Sequence, residues 1–391
     1  MANEDYDVLV IGARVAGATV AALLGDAGQR VLLVDRSTFP SPTLSTHYFR
    51  GGRGVSVLKR LGVLDAVLAL GCPPLTCEYR FLNGAREPRI GPAQEPGEVG
   101  YCLSVRRAPL DDILVRRATA SGCVQLLQGS DARELLVVDG RAVGARLVTP
   151  RGQAVVRARC VIGADGRQSF VARAVNATLQ ETEEAHRGIY YGYVRDFVGP
   201  TGGAPDGPEF HMPGDEIAYV FPSDGGVTCL ALSVNLTDYA WLRQRPQEHF
   251  RERIADHPGL AQRFLAARWV DRLYGCGPTR NYVRVPAGPG WALVGDAGMH
   301  QDPWSGHGID KAMVHATFLA DALLSWFTGA VDEQEALTTF HRRRDADGLE
   351  TYRRTTALSR DLRQLLAGHA RCATPSASAH LSLPVFHSRT T

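Results

Sequence analysis

Three segments of this sequence follow an apolar run and pair glycine with an acidic residue. They are Gly12–Gly17, whose acidic partner is Asp35 at the end of the next apolar run, Asp165-Gly166 and Gly295-Asp296. A glycine turn after a strand lets backbone N–H groups approach a phosphate, and a carboxylate at a strand end can accept the hydroxyls of a sugar. Residues of these types, in this order, are those with which proteins hold a dinucleotide.

The first segment matches the fingerprint G-x-G-x-x-G at Gly12 and Gly17 but carries Arg14 at the second glycine. We weigh two hypotheses: the Arg14 guanidinium adds positive charge beside the phosphates, or it points into solvent. Asp35, at the end of the second apolar run, has the spacing of a ribose ligand. Taken alone, this unit serves NAD as well as FAD.

The other two segments favour FAD. Cys160–Gly166, followed by Ser169 and Arg173, resembles the DG motif of flavin-dependent aromatic hydroxylases, and Gly295–Asp310 resembles their GD motif with its extension. Arg107-x-x-Leu110-Asp111 resembles the R-x-x-L segment in which an arginine faces the FAD pyrophosphate. The chain thus resembles the FAD-dependent monooxygenases of the aromatic-hydroxylase (group A) type, within the superfamily that also holds geranylgeranyl reductases and flavin-dependent halogenases.

The resemblance implies FAD as cofactor, NAD(P)H as a transient reductant and molecular oxygen as a co-substrate. It implies hydroxylation or epoxidation of an apolar, aromatic or polycyclic small molecule through a flavin C4a-hydroperoxide, with most of the chemistry residing in the cofactor. The cofactor-binding residues that we expect are Gly12, Arg14, Val15, Ala16, Gly17, Asp35, Arg36, Arg107, Ala132, Asp165, Asp296, Pro303, Gly306, Gly308 and Ile309.

Several residues are candidates for the reaction chamber. Pro303 lies in the loop expected at the flavin edge, and His47 lies in a loop where it could contact the flavin or handle a substrate proton, so we predict both as catalytic. The predicted substrate contacts are Tyr191, His211, Tyr219, Phe221 and Trp304. For the aromatic residues, the alternative is ordinary packing in the hydrophobic core. For the histidines, it is a side chain whose hydrogen bonds are satisfied within the protein.

Other functions stay open at this point. Tyr219-x-Phe221-Pro222 partly resembles the W-x-F-P element of prenyl reductases, whereas the W-x-W-x-I-P element of halogenases does not occur. A reductase, dehydrogenase or halogenase of the same superfamily is the alternative, followed by a non-catalytic flavin-binding protein. His300 and His307, with Asp302 between them, could suggest a metal, but the flavin motif accounts better for that segment, so we expect no metal.

The elements that must position these residues follow from the apolar pattern. Asp7–Ile11 and Arg30–Val34 predict buried parallel strands around a helix, and Asp139-Gly140 predicts a hairpin. The alternating aromatic stretch 188–233 predicts an antiparallel sheet with one covered face. We therefore expect an α/β fold with a discontinuous Rossmann-like FAD-binding lobe and an antiparallel-sheet substrate lobe, similar to glutathione reductase.

Domain bounds follow from these elements. We place the FAD-binding domain at 1–75, 104–182 and 276–330, and the substrate domain at 76–103 and 183–275. A helical segment at 331–370 and a tail at 371–391 complete the chain. Strands are also predicted over Thr76–Leu82 and Val99–Val105, and helices over Ile309–Phe327 and Glu333–Gly368.

Composition excludes several classes of protein. The 391 residues comprise 45% apolar and 21% charged residues and carry a net charge of +2. We therefore expect no electrostatic field that would attract nucleic acid. No apolar run approaches the roughly 18 residues of a membrane span, and the acidic start lacks the pattern of a secretory signal, so we expect a cytoplasmic protein. Eight cysteines without a C-x-x-C pair indicate neither zinc nor disulfides. The oligomeric state is not readable from the sequence.

Overall fold

A computed structural model of the chain describes residues 5–45, 47–87 and 98–365. The strands are β1 Asp5–Ile11, β2 Val31–Val34, β3 Tyr48–Phe49, β4 Tyr79–Leu82, β5 Ala85–Arg86, β6 Leu103–Ser104, β7 Val124–Leu127, β8 Asp131–Val138, β9 Arg141–Thr149, β10 Gly152–Gly163, β11 Leu179–Glu183, β12 Arg187–Arg195, β13 Glu209–Met212, β14 Glu216–Pro222, β15 Thr228–Asn235, β16 Arg268–Trp269, β17 Tyr274–Cys276, β18 Asn281–Arg284, β19 Ala287–Gly288, β20 Trp291–Leu293 and β21 Met299–His300.

The helices are α1 Val15–Asp26, α2 Gly52–Arg60, α3 Leu64–Leu68, α4 Arg107–Thr119, α5 Phe170–Ala174, α6 Leu236–Leu242, α7 Pro246–Ala255, α8 Ala261–Leu265, α9 Gly308–Phe327 and α10 Glu333–Ser359. Short 3-10 turns lie at Asp224–Gly226, Gly295–Ala297 and Pro303–Ser305.

The first sheet has the order β19-β20-β10-β1-β2-β7, and its strands from β20 to β7 are parallel. Strand β1 is apolar on both sides because both faces of the sheet are covered. Val8 and Val10 pack with α1, α4 and α9 on one face, whereas Leu9 and Ile11 pack with the β8–β9 hairpin and α5 on the other. The carboxyl end of β1 therefore points to the edge where α1 and α9 begin.

The second sheet has the order β16-β12-β15-β14-β13-β4-β5, with β17 also pairing with β12. Alternation along its strands gives two different faces. Tyr191 and Tyr193 belong to an inner cluster, which we call the inner face, together with Trp304 of the first lobe. Tyr190 and Val194 pack against α6 to α8 on the outer face. The inner face thus lies against the lobe that is built on the first sheet.

Helix α10 holds the two lobes together. The Trp304 Nε1–H donates to the Thr355 carbonyl oxygen at 3.0 Å, and Arg353 donates to Glu181 at 2.9 Å. The Leu362 N–H, just beyond the helix, donates to the Asp215 carboxylate at 2.8 Å. The helix and the residues just after it therefore contact the loop before α9, strand β11 and the second sheet.

The expected α/β class is confirmed, and the hairpin at Asp139-Gly140 joins β8 to β9. Two of the predicted strands are wrong in extent. The strand predicted over Val99–Val105 is only β6, and the one predicted from Thr76 begins at Tyr79, because Leu75 and Cys102 form a single isolated bridge. The predicted tail lies outside the described residues, and the domain bounds stay a prediction.

Candidate cofactor and substrate site

The turn after β1 requires glycine at two positions. Gly12 has a φ of +102°, and a Cβ there would lie 2.3 Å from the Ala164 carbonyl oxygen. A Cβ on Gly17 would lie 1.8 Å from the Gly12 carbonyl oxygen. Helix α1 begins at Val15, with Ala16 in its first turn, without a side-chain cap or an acidic residue there. Its first N–H groups are thus available to an anion.

Asp35 follows β2 directly and is 8% exposed. Its carboxylate accepts the Ala13 N–H at 2.8 Å and the Ser37 N–H at 2.7 Å. A carboxylate offers about four acceptor positions, so a sugar hydroxyl can still bind. Ala132 is buried on neighbouring β8, and the Arg36 side chain is exposed beside Asp35. Asp35 and Arg36 lie at the carboxyl end of the parallel strand β2.

Arg14 does not point into solvent. Its guanidinium donates to the Asp111 carboxylate at 2.8 Å and to the Ser41 and Pro42 carbonyl oxygens, each at 3.2 Å. Arg107 binds the same carboxylate at 3.0 Å. The Asp111 side chain is fully buried, so two guanidinium groups share one buried carboxylate and leave one positive charge in excess at the start of α1. A role toward phosphate stays a prediction.

Asp165 keeps one oxygen unpaired within the described part of the chain. Its Oδ2 accepts the Phe170 N–H at 2.6 Å and the Val171 N–H at 3.3 Å, at the start of α5. Its Oδ1 is buried and has no hydrogen-bond partner there, and burial raises the pKa of the carboxyl. A buried acceptor of this kind suits a donor from a bound group, such as a hydroxyl.

Asp296 stands in the 3-10 turn after β20, and its carboxylate is 41% exposed. Its Oδ2 lies 3.3 Å from His300 Nδ1. Its partial desolvation by the surrounding protein would raise the pKa of this carboxyl, but His300, then Arg167 and Arg107, outweigh that effect and lower the pKa below its ordinary value. An ionised, accessible carboxylate at this strand end can accept a hydroxyl from a ligand.

The loop before α9 leaves its helix start open. Gly306 has a φ of +74°, and the Asp302 carboxylate accepts the Trp304 N–H at 3.1 Å. Pro303 and Gly308 are exposed, and a Cβ on Gly308 would meet nothing within 4 Å. Helix α9 starts there without a side-chain cap, followed by buried Ile309. The positive end of this helix therefore faces open space, as a flavin edge requires.

The predicted aromatic wall is largely assembled. Tyr191, Tyr219, Phe221 and Trp304 all belong to the inner-face cluster. The Tyr219 hydroxyl donates to the Trp304 carbonyl oxygen at 2.8 Å, which fixes the sheet to the loop before α9. The wall and the open start of α9 are thus joined through the same loop.

His211 departs from this prediction. It pairs in register with Ala218, a residue of the outer face, and its Nε2 lies 2.9 Å from the Glu209 carboxylate, which Arg263 also binds. The register of β13 places Phe210, and not His211, on the inner face. We therefore remove His211 from the proposed substrate wall.

His47 lies on the inner face and is 2% exposed. Its Nε2 is hydrogen-bonded to the Tyr193 hydroxyl. Burial, and then the charges of Arg107 and Arg106, lower the pKa of His47 well below its ordinary value, so the ring is neutral. The sequence prediction omitted Tyr193, although its spacing of two residues from Tyr191 on one strand places both on the same face.

The described residues contain neither a cluster of metal-binding side chains nor a helix that could cross a membrane. Within residues 5–45, 47–87 and 98–365, no group of three or more His, Cys, Asp or Glu side chains is arranged to hold a metal ion. None of the helices in the same ranges combines the length and apolar character needed to cross a bilayer.

Comparison with known proteins agrees with this geometry. A family model described as an FAD binding domain matches residues 5–355. The digeranylgeranylglycerophospholipid reductase of Methanosarcina mazei is 28% identical over 321 residues, covering 80% of this chain and 73% of that protein.

Solved structures share the fold. A myxobacterial chondrochloren halogenase, an FAD-dependent enzyme, superposes with a TM-score of 0.80 at 22% identity, covering 90% of this chain and 81% of the other. A probable FAD-dependent monooxygenase from Pseudomonas aeruginosa superposes with a TM-score of 0.76 at 20% identity, covering 94% of this chain and 100% of the other.

Proposed function

We propose, from the premise that this chain belongs to the family of FAD binding domains, that it is a monooxygenase acting on an apolar, aromatic or polycyclic small molecule. FAD-dependent oxidoreduction is the activity of its superfamily. The observation that carries the finer proposal is the aromatic inner face fixed to the loop before α9 by the bond from Tyr219 to Trp304.

The residues present fit FAD. The uncapped start of α1 and the excess charge of the Arg14–Asp111–Arg107 cluster suit the pyrophosphate, and Asp35 suits the adenosine ribose. The unpaired oxygen of Asp165 and the accessible carboxylate of Asp296 suit hydroxyl donors. Bound FAD supplies the redox chemistry, with NAD(P)H as electron source and oxygen as co-substrate.

The open start of α9 stabilises negative charge on a ring placed against it, since its backbone N–H groups and helix dipole point there. Pro303, exposed in the same loop, shapes the edge of that space without donating a hydrogen bond. These residues orient and bind, and we assign no proton transfer to them.

The inner face excludes water and holds the substrate ring. Tyr48 stacks on Phe221 with ring centroids 4.6 Å apart, and Phe210 meets Tyr219 edge-on at 5.7 Å. Such a wall binds flat apolar molecules by area and ring contacts, each aromatic contact contributing about 1 kcal/mol. We expect the reaction in the cytoplasm, where NAD(P)H is supplied.

A reductase is the second candidate. The similarity to the Methanosarcina mazei reductase and the partial W-x-F-P element at Tyr219-x-Phe221-Pro222 support it. A halogenase has weaker support: of the two lysines in the sequence, Lys59 is exposed on α2, and Lys311 donates to Gln301 and to the Gly348 carbonyl oxygen.

One experiment separates the three. The FAD-loaded protein is supplied with NADH or NADPH, chloride or bromide, ¹⁸O₂ and a panel of phenols, polyketides and prenyl lipids, and products are analysed by mass. We expect a product containing one ¹⁸O atom. A product gaining only two hydrogens indicates a reductase, and a halide-containing product indicates a halogenase; either result overturns the monooxygenase proposal.

A matched pair of variants links the activity to the chamber. Trp304→Ala removes a wall residue of the inner face, whereas Trp326→Ala changes a half-buried residue that packs with Arg159 at the far end of α9. We expect substrate-stimulated NAD(P)H oxidation to fall more than tenfold in the first variant and to persist in the second. Equal activity in the two variants would show that the aromatic wall takes no part in the reaction.

A further inference from the structure

Ser45 and residues 47–50 lie across the inner face of the sheet, and His47 among them is 2% exposed. The Ser45 N–H donates to the Tyr191 hydroxyl at 3.2 Å, and Tyr48 stacks on Phe221. On the other side, Arg50 donates to the Ser305 carbonyl oxygen at 2.6 Å. His47 is therefore held between the substrate sheet and the loop before α9.

The backbone of His47 is in the left-handed region, with a φ of +64°. A residue other than glycine in this region carries a conformational cost of about 1 kcal/mol or more, and such residues cluster at functional sites. The conformation is fixed by its neighbours, since the Val105 N–H donates to the His47 carbonyl oxygen at 3.1 Å and β3 begins at the next residue.

The two ring nitrogens of His47 have different surroundings. Nε2 is hydrogen-bonded to Tyr193, whose ring lies nearly parallel to the imidazole, at an interplanar angle of 12°. Nδ1 is buried and has no hydrogen-bond partner among the described residues. A buried polar atom left in this state costs about 1–3 kcal/mol, and a hydrogen bond to a bound molecule would remove that cost.

We propose that His47 Nδ1 binds an uncharged hydroxyl of the substrate and that Tyr193 is the positioning residue that fixes the imidazole for this contact. The inference rests on the proposed function and deepens it, since it names the substrate class: a flat apolar body that carries a hydroxyl group.

Hydrogen-bond chemistry selects the hydroxyl. Either the Tyr193 O–H donates to Nε2 and leaves Nδ1 as a donor, or Nε2–H donates to Tyr193 and leaves Nδ1 as an acceptor. A hydroxyl group satisfies both arrangements, whereas an ether oxygen satisfies only the first. The charges of Arg106 and Arg107, which already act on His47, oppose a cationic substrate at the same place.

The test compares two probes of the same shape. Oxidised, FAD-loaded protein is titrated with 2-naphthol and with 2-methylnaphthalene, whose methyl group neither donates nor accepts a hydrogen bond, and the change in flavin absorbance gives each dissociation constant. We expect the wild-type protein to bind 2-naphthol about tenfold more tightly. Equal affinity for the two probes, or binding of neither up to the solubility limit, overturns the proposal.

Four variants locate the contact. The amide of His47→Asn can take the place of Nδ1 and should keep most of the preference, whereas His47→Gln, whose amide is closer to the place of Nε2, should lose it. Tyr193→Phe should also lose it, and Tyr190→Phe, on the outer face, should keep it. A tenfold preference that survives in His47→Gln or in Tyr193→Phe contradicts the assignment.

Folding and activity do not confound the result. Flavin content and melting temperature are measured for every variant, and Tyr193→Phe alone decides the test if His47→Gln fails to hold FAD. Because no reductant is present, the affinity ratio does not depend on oxygen insertion. A tenfold preference without any oxygenated product would keep this inference and remove the monooxygenase proposal.

Discussion

At the scale of single residues, the site depends on positions where only one side chain is compatible with the backbone. Gly12 combines a positive φ with a close approach to the Ala164 carbonyl oxygen, whereas Gly28 has a positive φ of +79° and open space, with nothing within 4 Å, where a Cβ would stand. Substituting each of these two glycines therefore distinguishes the cost of conformational strain alone from the cost of strain combined with steric overlap.

We expect Gly12→Ala to abolish FAD binding and to lower the free energy of unfolding by about 3 kcal/mol or more, because the strand end and the 164 loop must move apart. Gly28→Ala should cost only about 1 kcal/mol, the strain of a left-handed alanine, and should keep its flavin. Urea unfolding and flavin absorbance after gel filtration measure both effects. Similar losses in the two variants would show that strain alone acts.

Arg14 gives a second prediction at this scale. Arg14→Ala removes one of two guanidinium groups from the fully buried Asp111 and releases the loop at Ser41 and Pro42. We expect a loss of about 2 kcal/mol in unfolding free energy and about tenfold weaker FAD binding. Arg30→Ala, at a side chain 64% exposed, is the control and should cost less than about 0.5 kcal/mol. If both variants bind FAD like the wild type, Arg14 has no role in cofactor binding.

At the scale of elements, the sequence was most informative where function depends on a strand end and the turn after it. Gly12, Asp165 and Asp296 stand at such places, so local pattern was enough to find them. The pairing of His47 with Tyr193 joins residues 146 apart in sequence, and that of Arg14 with Asp111 joins residues 97 apart. Contacts of this kind depend on strand register and loop packing, which no local pattern encodes; the same limit explains the misplacement of His211.

The first turn of α9 shows two effects in competition. The helix dipole favours a carboxylate there, but burial dominates and raises the pKa of Asp310 to about 8, even though the Gly54 N–H donates to Oδ1 at 3.0 Å. Between pH 4 and 8 the folded state thus retains a proton that the unfolded state has lost. Asp310 therefore destabilises the fold progressively as the pH rises through this range.

Asp310→Asn removes this titration. Relative to the wild-type protein, its unfolding free energy should increase steadily from pH 4 to pH 8 and level off above that. Urea unfolding across this range, with saturating FAD for both proteins, measures the difference and cancels contributions from other titrating groups. A difference that does not change with pH would mean that Asp310 is ionised in the folded state.

At the scale of the whole molecule, α10 joins parts of the fold that are distant in sequence. Arg344 is 2% exposed and donates to the Arg284 carbonyl oxygen at 2.9 Å and to Gln180 at 2.8 Å, while its neighbour Arg343 is 40% exposed beside Asp321. The two adjacent arginines of α10 thus differ in burial: Arg344 donates to groups within the fold, whereas Arg343 lies at the surface.

Arg344→Ala should lower the unfolding free energy by about 3–5 kcal/mol, because it removes a buried guanidinium that donates to the Arg284 carbonyl oxygen and to the Gln180 side-chain oxygen, and leaves a cavity. Arg343→Ala should cost less than about 1 kcal/mol. Thermal unfolding followed by circular dichroism and by flavin fluorescence measures both variants. Equal melting temperatures would show that α10 adds little to the junction between the lobes.

The order of strands in the first sheet has a consequence for synthesis in the cell. Strand β20 joins the sheet beside β10 only after the whole second sheet has been translated, and Asp296 and the start of α9 follow β20. A chain growing on the ribosome therefore completes the N-terminal end of the sheet, where we propose that the adenosine ribose binds, long before it makes the proposed isoalloxazine site at the start of α9. We therefore expect cofactor loading to be a late event in the biogenesis of this protein, and a nascent chain halted before residue 291 to emerge without flavin.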